Sequence, residues 1–370
     1  MSFKVLSVFG TRPEAIKMAP VVLALDSSSK IESKVCVTAQ HRQMLDQVLS
    51  LFNITPDYDL DVMQANQDLY DITSRILLGL RDVLKEYQPD LVLVHGDTTT
   101  CFAVSLAAFY QQIPVGHVEA GLRTGDLSAP FPEEANRSLV GRLAQYHFAP
   151  TELSRQNLLS ESIDDQQITV TGNTVIDALL WVKQRLASYD DSVWQSAIGG
   201  PLFARLHNND TPMILITGHR RENFGQGFVD LCSAIKQLAE AHSDWEFVYP
   251  VHLNPNVQQP VYDILAGLGN VSLIDPQDYL PFTWLMNRSA LILTDSGGIQ
   301  EETTYRQVPC ITLRPNTERP STTTLGTNQM LTELNVAGVM HAIDNPKEGI
   351  VPPLWDGHAT ERIVDIIRNL

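Results

Sequence analysis

Three carboxylates carry the first hint of chemistry. Asp97 lies in residues 94–100, Val-His-Gly-Asp-Thr-Thr-Thr, where an apolar run gives way to hydroxyl residues that suit a helix start. Read by itself, an Asp there is a helix cap. Glu119 follows the next apolar run, in residues 117–123, His-Val-Glu-Ala-Gly-Leu-Arg. The stiff Pro-Phe-Pro of residues 130–132 leads into Glu133 and Glu134, with Arg137 one turn later. One of these two complements the helix dipole while the other is available to a ligand, and Glu133 is taken for that role. Gathered at one sheet edge, Asp97, Glu119 and Glu133 would repel and raise one another's pKa, which suits general acid and base work at neutral pH. Hard cations also take carboxylates, but no His-x-x-x-His or Asp-x-Asp spacing accompanies these, so no metal is expected.

A second set of residues suits an anion. Residues 10–17, Gly-Thr-Arg-Pro-Glu-Ala-Ile-Lys, place Arg12 and Lys17 near a helix start, where positive charge opposes the dipole and a bound anion would explain it. This is neither Gly-x-Gly-x-x-Gly nor a P-loop, which argues against nicotinamide cofactors and Walker-type ATP use. Residues 217–223, Thr-Gly-His-Arg-Arg-Glu-Asn, supply His219 beside two arginines. In residues 291–302, Leu-Ile-Leu-Thr-Asp-Ser-Gly-Gly-Ile-Gln-Glu-Glu, a buried strand turns sharply into a helix. Ser296, Gly297 and Gly298 would leave bare N–H groups at that helix's positive end, a seat for phosphate. Arg319 follows the next strand, and His252 sits after another, in Val-His-Leu-Asn-Pro.

These positions recur at strand ends. Strands are expected at 4–9, 34–38, 91–95, 115–118, 145–149 and, at an edge, 167–171, with helical stretches at 44–52, 69–86, 101–110 and 173–186. A second series places strands at 213–217, 246–250, 271–274, 291–294 and 310–313, and helices at 228–241, 256–265, 280–287 and 299–305. Such alternation predicts an α/β protein with two Rossmann-like domains facing across a cleft. Residues 188–212, rich in Asp, Ser, Gly, Asn and Pro, read as a hinge region. The domains are placed at 1–172 and 173–355, and a terminal helix within 356–370 is expected to cross back to the first.

A net charge of −17 over 370 residues argues against nucleic acid or an anionic membrane as partner. The four cysteines are far apart, with no Cys-x-x-Cys, and read as buried thiols in a reducing compartment. The first strand begins too early for a signal-peptide core and no apolar run spans a bilayer, so a cytoplasmic protein is expected.

Together the motifs resemble one family. Phe-Gly-Thr-Arg-Pro-Glu-Ala-Ile-Lys (9–17), Thr-Ala-Gln-His-Arg (38–42), His-Gly-Asp-Thr (95–98), His-Val-Glu-Ala-Gly-Leu-Arg-Thr (117–124), Pro-Glu-Glu-Ala-Asn-Arg (132–137), Gly-His-Arg-Arg-Glu (218–222), Asp-Ser-Gly-Gly-Ile-Gln-Glu-Glu (295–302) and Thr-Glu-Arg-Pro (317–320) stand in the order of the bacterial non-hydrolysing UDP-N-acetylglucosamine 2-epimerases. The resemblance implies the glycosyltransferase B arrangement, a homodimer, no nicotinamide cofactor, and interconversion of UDP-N-acetylglucosamine and UDP-N-acetylmannosamine. In that family C2 inverts by anti elimination of UDP to a 2-acetamidoglucal and re-addition of UDP from the same pool, and the product supplies cell-envelope polysaccharide. Carried onto this chain, proton transfer falls to Asp97 and Glu133 with Glu119 supporting or sharing the role. Arg12, Lys17, Arg137, the Ser296–Gly298 turn and Arg319 hold the nucleotide-sugar, His219 counts among the catalytic residues as a stabiliser of the departing pyrophosphate, and Glu302 holds the ribose. Gln40, Gln43 and His252 lie in the segments that match a second, activating substrate site.

Overall fold

The structure, a computed structural model, describes residues 2–39, 42–64, 67–207, 211–218, 224–313, 317–331 and 336–370. The chain forms two compact units, Met1–Trp181 with Pro353–Leu370, and Val182–Pro352. In the first unit the elements run β1 (Phe3–Phe9), α1 (Arg12–Asp26), β2 (Ile31–Val37), α2 (Arg42–Phe52), β3 (Tyr58–Asp59), α3 (Leu69–Tyr87), β4 (Leu91–His95) and α4 (Thr99–Tyr110). They continue through β5 (Val115–Val118), α5 (Glu133–Leu143), β6 (Tyr146–Ala149), α6 (Glu152–Ser160), β7 (Ile168–Val170) and α7 (Thr174–Leu186), and the division between units falls within α7.

The first sheet has the order β3-β2-β1-β4-β5-β6-β7, with every pairing parallel. Parallel strands need cover on both faces, which is why Leu91–His95 is buried at every residue. The covering helices show it from the other side. Ile72, Ile76, Leu80, Val83, Leu84 and Tyr87 recur at three- and four-residue spacing, and all are buried along one face of α3.

The second unit contains α8 (Asp191–Ile198), α9 (Gly200–His207), β8 (Met213–Thr217), α10 (Gln226–Ala241), β9 (Glu246–Pro250), α11 (Pro255–Leu265), β10 (Val271–Ile274) and α12 (Tyr279–Arg288). After these come β11 (Ser289–Thr294), α13 (Gly297–Arg306), β12 (Cys310–Thr312), α14 (Pro320–Thr324), β13 (Asn328–Met330) and α15 (Val336–Asp344). Its parallel sheet has the order β10-β9-β8-β11-β12-β13. Each sheet therefore reverses its winding once, between β1 and β4 and between β8 and β11. In doubly wound sheets a crevice opens beyond the carboxyl ends of the strands at that reversal, and ligands bind there.

Residues 188–212 are not the hinge that their composition suggested. They carry α8 and α9, inside the second unit. Aromatic packing explains this: Trp194 stacks on Trp284 of α12 at 5.5 Å between ring centroids, and Phe203 stacks on the same ring at 5.9 Å. The short edge strands β3 and β13 also escape a reading by periodicity.

The C-terminal helix α16 (Ala359–Ile367) returns to the first unit as expected, packing on α1. Its first turn is fixed by Thr360 N–H donating to Asp177 at 2.8 Å, and Trp355 just before it donates to the Pro150 carbonyl at 3.1 Å. Burial pushes the Asp177 carboxyl above its usual range. Cys36, Cys101, Cys232 and Cys310 are free and buried, and no described helix is long and apolar enough to cross a membrane.

Candidate active site

The first winding reversal gathers side chains from four segments. β1 ends before Arg12, which opens α1 half-buried; β4 ends before Asp97, β5 ends before Glu119, and α5 supplies Glu133 to Arg137. Asp97 pairs with Arg137, whose other amino group meets Glu134 at 2.7 Å. The guanidinium is 2% exposed and Asp97 is 22% exposed. Asn136 donates to the Asp97 backbone carbonyl at 2.9 Å, fixing the main chain as well as the side chain. Glu119 pairs with Lys17, both side chains 5% exposed, and His95 Nε2 lies 3.8 Å from the same carboxylate. Its backbone φ of +64° lies in the left-handed region, an unfavourable choice for a residue with a Cβ.

The charge pattern differs from the one expected. Asp97 and Glu119 do not stand as repelling carboxylates; each is matched by a cation. Strand order is the reason, because β1, β4 and β5 are neighbours and α1 follows β1, so Lys17 lies within reach of the residue after β5. Lys17, expected at an anion, is thereby committed to Glu119, and Arg137 to Asp97 and Glu134. Of the two carboxylates that open α5, Glu134 does the structural work. It is 1% exposed and accepts N–H groups of Thr124 and Gly125 at 2.9 Å each, besides Arg137. Glu133 remains half-buried at the helix start.

Behind this edge, desolvation sets the ionisation of two groups. His117, whose Nε2 lies 2.7 Å from the Gly96 carbonyl, is pushed down to about 3 by burial. Glu14, 2% exposed, is pushed above the usual carboxylate range, again chiefly by burial.

The second unit's reversal is built differently. The Thr217 and Thr294 hydroxyls, at the ends of β8 and β11, bond each other at 2.6 Å. Ser296 N–H donates back to Thr294 Oγ1 at 3.0 Å. Ser296 occupies the N-cap of α13 in an extended conformation, yet its side chain makes no capping bond. The helix thus presents backbone N–H groups in place of a side-chain cap. Gly297 packs so closely that an added Cβ would lie 2.9 Å from Glu318 Oε1 and 3.0 Å from Arg319 Cζ; beside Gly298 there is open space. Arg319 is held by Glu301 at 3.1 Å and by Glu318, so it lies under the turn, between two acids. Glu302 is 6% exposed and accepts the Tyr279 hydroxyl at 3.2 Å.

His219 and Gln40 lie outside the described residues. Gln43 is exposed on the first turn of α2, and His252 is exposed after β9, where its Nδ1 accepts Asn254 N–H at 3.1 Å. Among the described residues no group of three or more His, Cys, Asp or Glu could hold a metal ion.

The sequence model described as UDP-N-acetylglucosamine 2-epimerase matches residues 23–368. The chain belongs to this family. A UDP-N-acetylglucosamine 2-epimerase of Salmonella typhimurium is 57% identical over 374 residues, covering 99% of this chain and 98% of that protein. The crystal structure of the Neisseria meningitidis family member bound to UDP-GlcNAc superposes with a TM-score of 0.91 at 49% identity, covering 100% of both chains. The family member from Methanocaldococcus jannaschii, solved with UDP-GlcNAc and UDP, has a TM-score of 0.86 at 33% identity over 100% of both chains. The two-domain Rossmann-like fold of the family is therefore the fold of this chain.

Some residues of the family fold were passed over in the sequence. Glu14 was readable as the fourth residue of a Thr-x-x-Glu capping box, though only as a cap. His95, Asn136 and Tyr279 gave no local signal, since each matters through a partner distant in the chain.

Proposed function

We propose that the protein interconverts UDP-N-acetylglucosamine and UDP-N-acetylmannosamine without hydrolysis. Family membership supports the substrate. The observation that carries the chemistry is the pair of cation-matched carboxylates, Asp97 with Arg137 and Glu119 with Lys17, beyond neighbouring strands at a winding reversal.

The C2–H bond is not acidic by itself. Its proton leaves as the C1–oxygen bond breaks and the ring gains oxocarbenium character; the C–H electrons become the C1=C2 bond of 2-acetamidoglucal, and UDP departs with the C1–oxygen pair. Return of UDP to C1, with a proton delivered to the opposite face of C2, gives the epimer. Two proton-transfer groups are needed, and Asp97 and Glu133 are assigned to them, with Glu119 supporting or sharing the role. Lys17 and Arg137 orient their carboxylates and are assigned to answer negative charge that develops during the reaction.

Arg12, His219 and the Ser296–Gly298 turn are assigned to the pyrophosphate. Arg319 supports that turn, and Glu302, a poor neighbour for phosphate, is assigned to the ribose hydroxyls. A cytoplasmic homodimer that supplies a cell-envelope polysaccharide precursor, activated by substrate at Gln40, Gln43 and His252, completes the proposal. Incubation with UDP-N-acetylglucosamine alone tests it. UDP-N-acetylmannosamine should accumulate to a fixed ratio with no acceptor present. Free N-acetylmannosamine and UDP as the only products would mark a hydrolysing enzyme, and an absolute need for an acceptor would mark a glycosyltransferase.

A further inference from the structure

Glu14 is a buried carboxylate to which the proposed chemistry gives no task. Its Oε2 accepts N–H groups of Gly10 at 3.0 Å and Thr11 at 2.8 Å, and its Oε1 accepts the Thr98 hydroxyl at 2.6 Å. A capping box accounts for the bond to Thr11, the residue that caps α1. It does not account for Thr98, which lies 84 residues away and caps a different helix, α4, by accepting Cys101 N–H at 3.0 Å. Burial also disfavours the ionised form of this carboxylate.

The two turns that Glu14 joins hold the residues assigned to chemistry. Arg12 immediately follows Thr11, and Asp97 immediately precedes Thr98. We propose that Glu14 is a positioning residue: it ties the β1–α1 turn to the first turn of α4, setting Arg12, assigned to the leaving pyrophosphate, in register with Asp97, assigned to C2. Proton removal and departure of UDP must be concerted, so an error in that register slows the step while substrate remains bound. Asn136 anchors the Asp97 main chain from the side of α5, and Glu14 holds the side chain of the next residue, Thr98, from the side of α1.

This inference rests on the epimerase reading, and the wild-type reaction separates the two. An inactive wild type refutes the reading; an active wild type with an unaffected bridge refutes the inference alone. Steady-state rates are measured for Glu14→Ala, Glu14→Gln, Thr98→Val, Thr98→Ser and the Glu14→Ala/Thr98→Val double variant, with thermal unfolding followed in each. Glu14→Ala should lower kcat at least tenfold and raise KM, because both turns are released. Thr98→Val should lower kcat by a similar factor with KM within threefold of wild type, because only the Asp97 side is released. The double variant should be no slower than Glu14→Ala, and Glu14→Gln and Thr98→Ser, which can still bridge, should stay within about threefold of wild type. Glu14→Gln should also be at least as stable as wild type at pH 7 and above, since it removes a buried charge. Wild-type rates in both Glu14→Ala and Thr98→Val, or losses that multiply in the double variant, would overturn the proposal. If Glu14→Ala does not fold, the contrast between Thr98→Val and Thr98→Ser decides it, and equal rates in those two would overturn it.

Discussion

Both winding reversals of this molecule bury matched charges, but they put them to different use. At the first, charged side chains are buried and matched: Lys17 with Glu119, and Arg137 with Asp97 and Glu134. At the second, the turn at Ser296–Gly298 offers main-chain N–H groups above the uncharged hydrogen bonds of Thr294 with Thr217 and with Ser296 N–H, and its own cation, Arg319, is engaged by Glu301 and Glu318. The difference fits the tasks proposed for each. A proton-transfer group has to be a side chain, and burying it demands a counter-charge. An anion can be gripped by the backbone, whose dipoles cost nothing to orient once the helix has formed.

Asp97→Asn should break the first arrangement most severely. It keeps the shape and removes the proposed proton-transfer group, so kcat should fall by about 10²–10⁴ with little change in KM, measured by product formation. Removing a cation tests the matching itself. Lys17→Met takes the lysine cation from buried Glu119 and should cost about 3–5 kcal/mol in denaturant unfolding, whereas Lys17→Met with Glu119→Gln should recover most of that stability and none of the activity. Full stability in the single variant would mean that the pairing does not matter.

The second arrangement can be probed at its two glycines. Gly297→Ala should lower stability by about 1–3 kcal/mol, because the new methyl group strikes the Glu318 and Arg319 side chains. Gly298→Ala meets open space, so stability should hold or rise by about 0.5–1 kcal/mol while KM rises, if phosphate occupies that space. Equal behaviour of the two variants would contradict the phosphate seat.

The smallest effect concerns acid. His117 and His147, paired across β5 and β6, are held down to about 3 and 4 by burial, against an ordinary value of 6.5. His95, Arg123 and Glu161 are their charged or titratable neighbours. The unfolded chain binds protons that the folded one refuses, so their contribution is fully present above 6.5 and is lost as pH falls toward 4 and 3. Glu14, raised by burial, acts with the opposite sign: its contribution is greatest below its ordinary value of 4.5 and declines as pH rises. Equilibrium unfolding between pH 7 and 4 should therefore show stability falling, and His147→Phe should flatten that slope.

How far the sequence reached depended on how local each signal was. The strands β4, β5, β8, β9 and β10 fall on the residues expected, because a buried run flanked by turn residues announces itself within five positions. The two-residue β3 and three-residue β13 are too short to show a period. In residues 188–212 composition misled, since the signal lay in Trp194 and Phe203, whose partner Trp284 lies far along the chain. The same distance hid the ion pairs. Asp97, Glu119 and Lys17 were each legible as candidates, but that Lys17 would meet Glu119, and Arg137 would meet Asp97, depends on the order of strands in the sheet.

Proton exchange at C2 tests the central claim most directly. With UDP-N-acetylglucosamine as the sole substrate in D2O, deuterium should enter C2 of the UDP-sugar pool as UDP-N-acetylmannosamine forms, and Asp97→Asn should suppress both. Formation of the epimer with C2 still fully protonated would contradict the assignment of these carboxylates to proton removal and return.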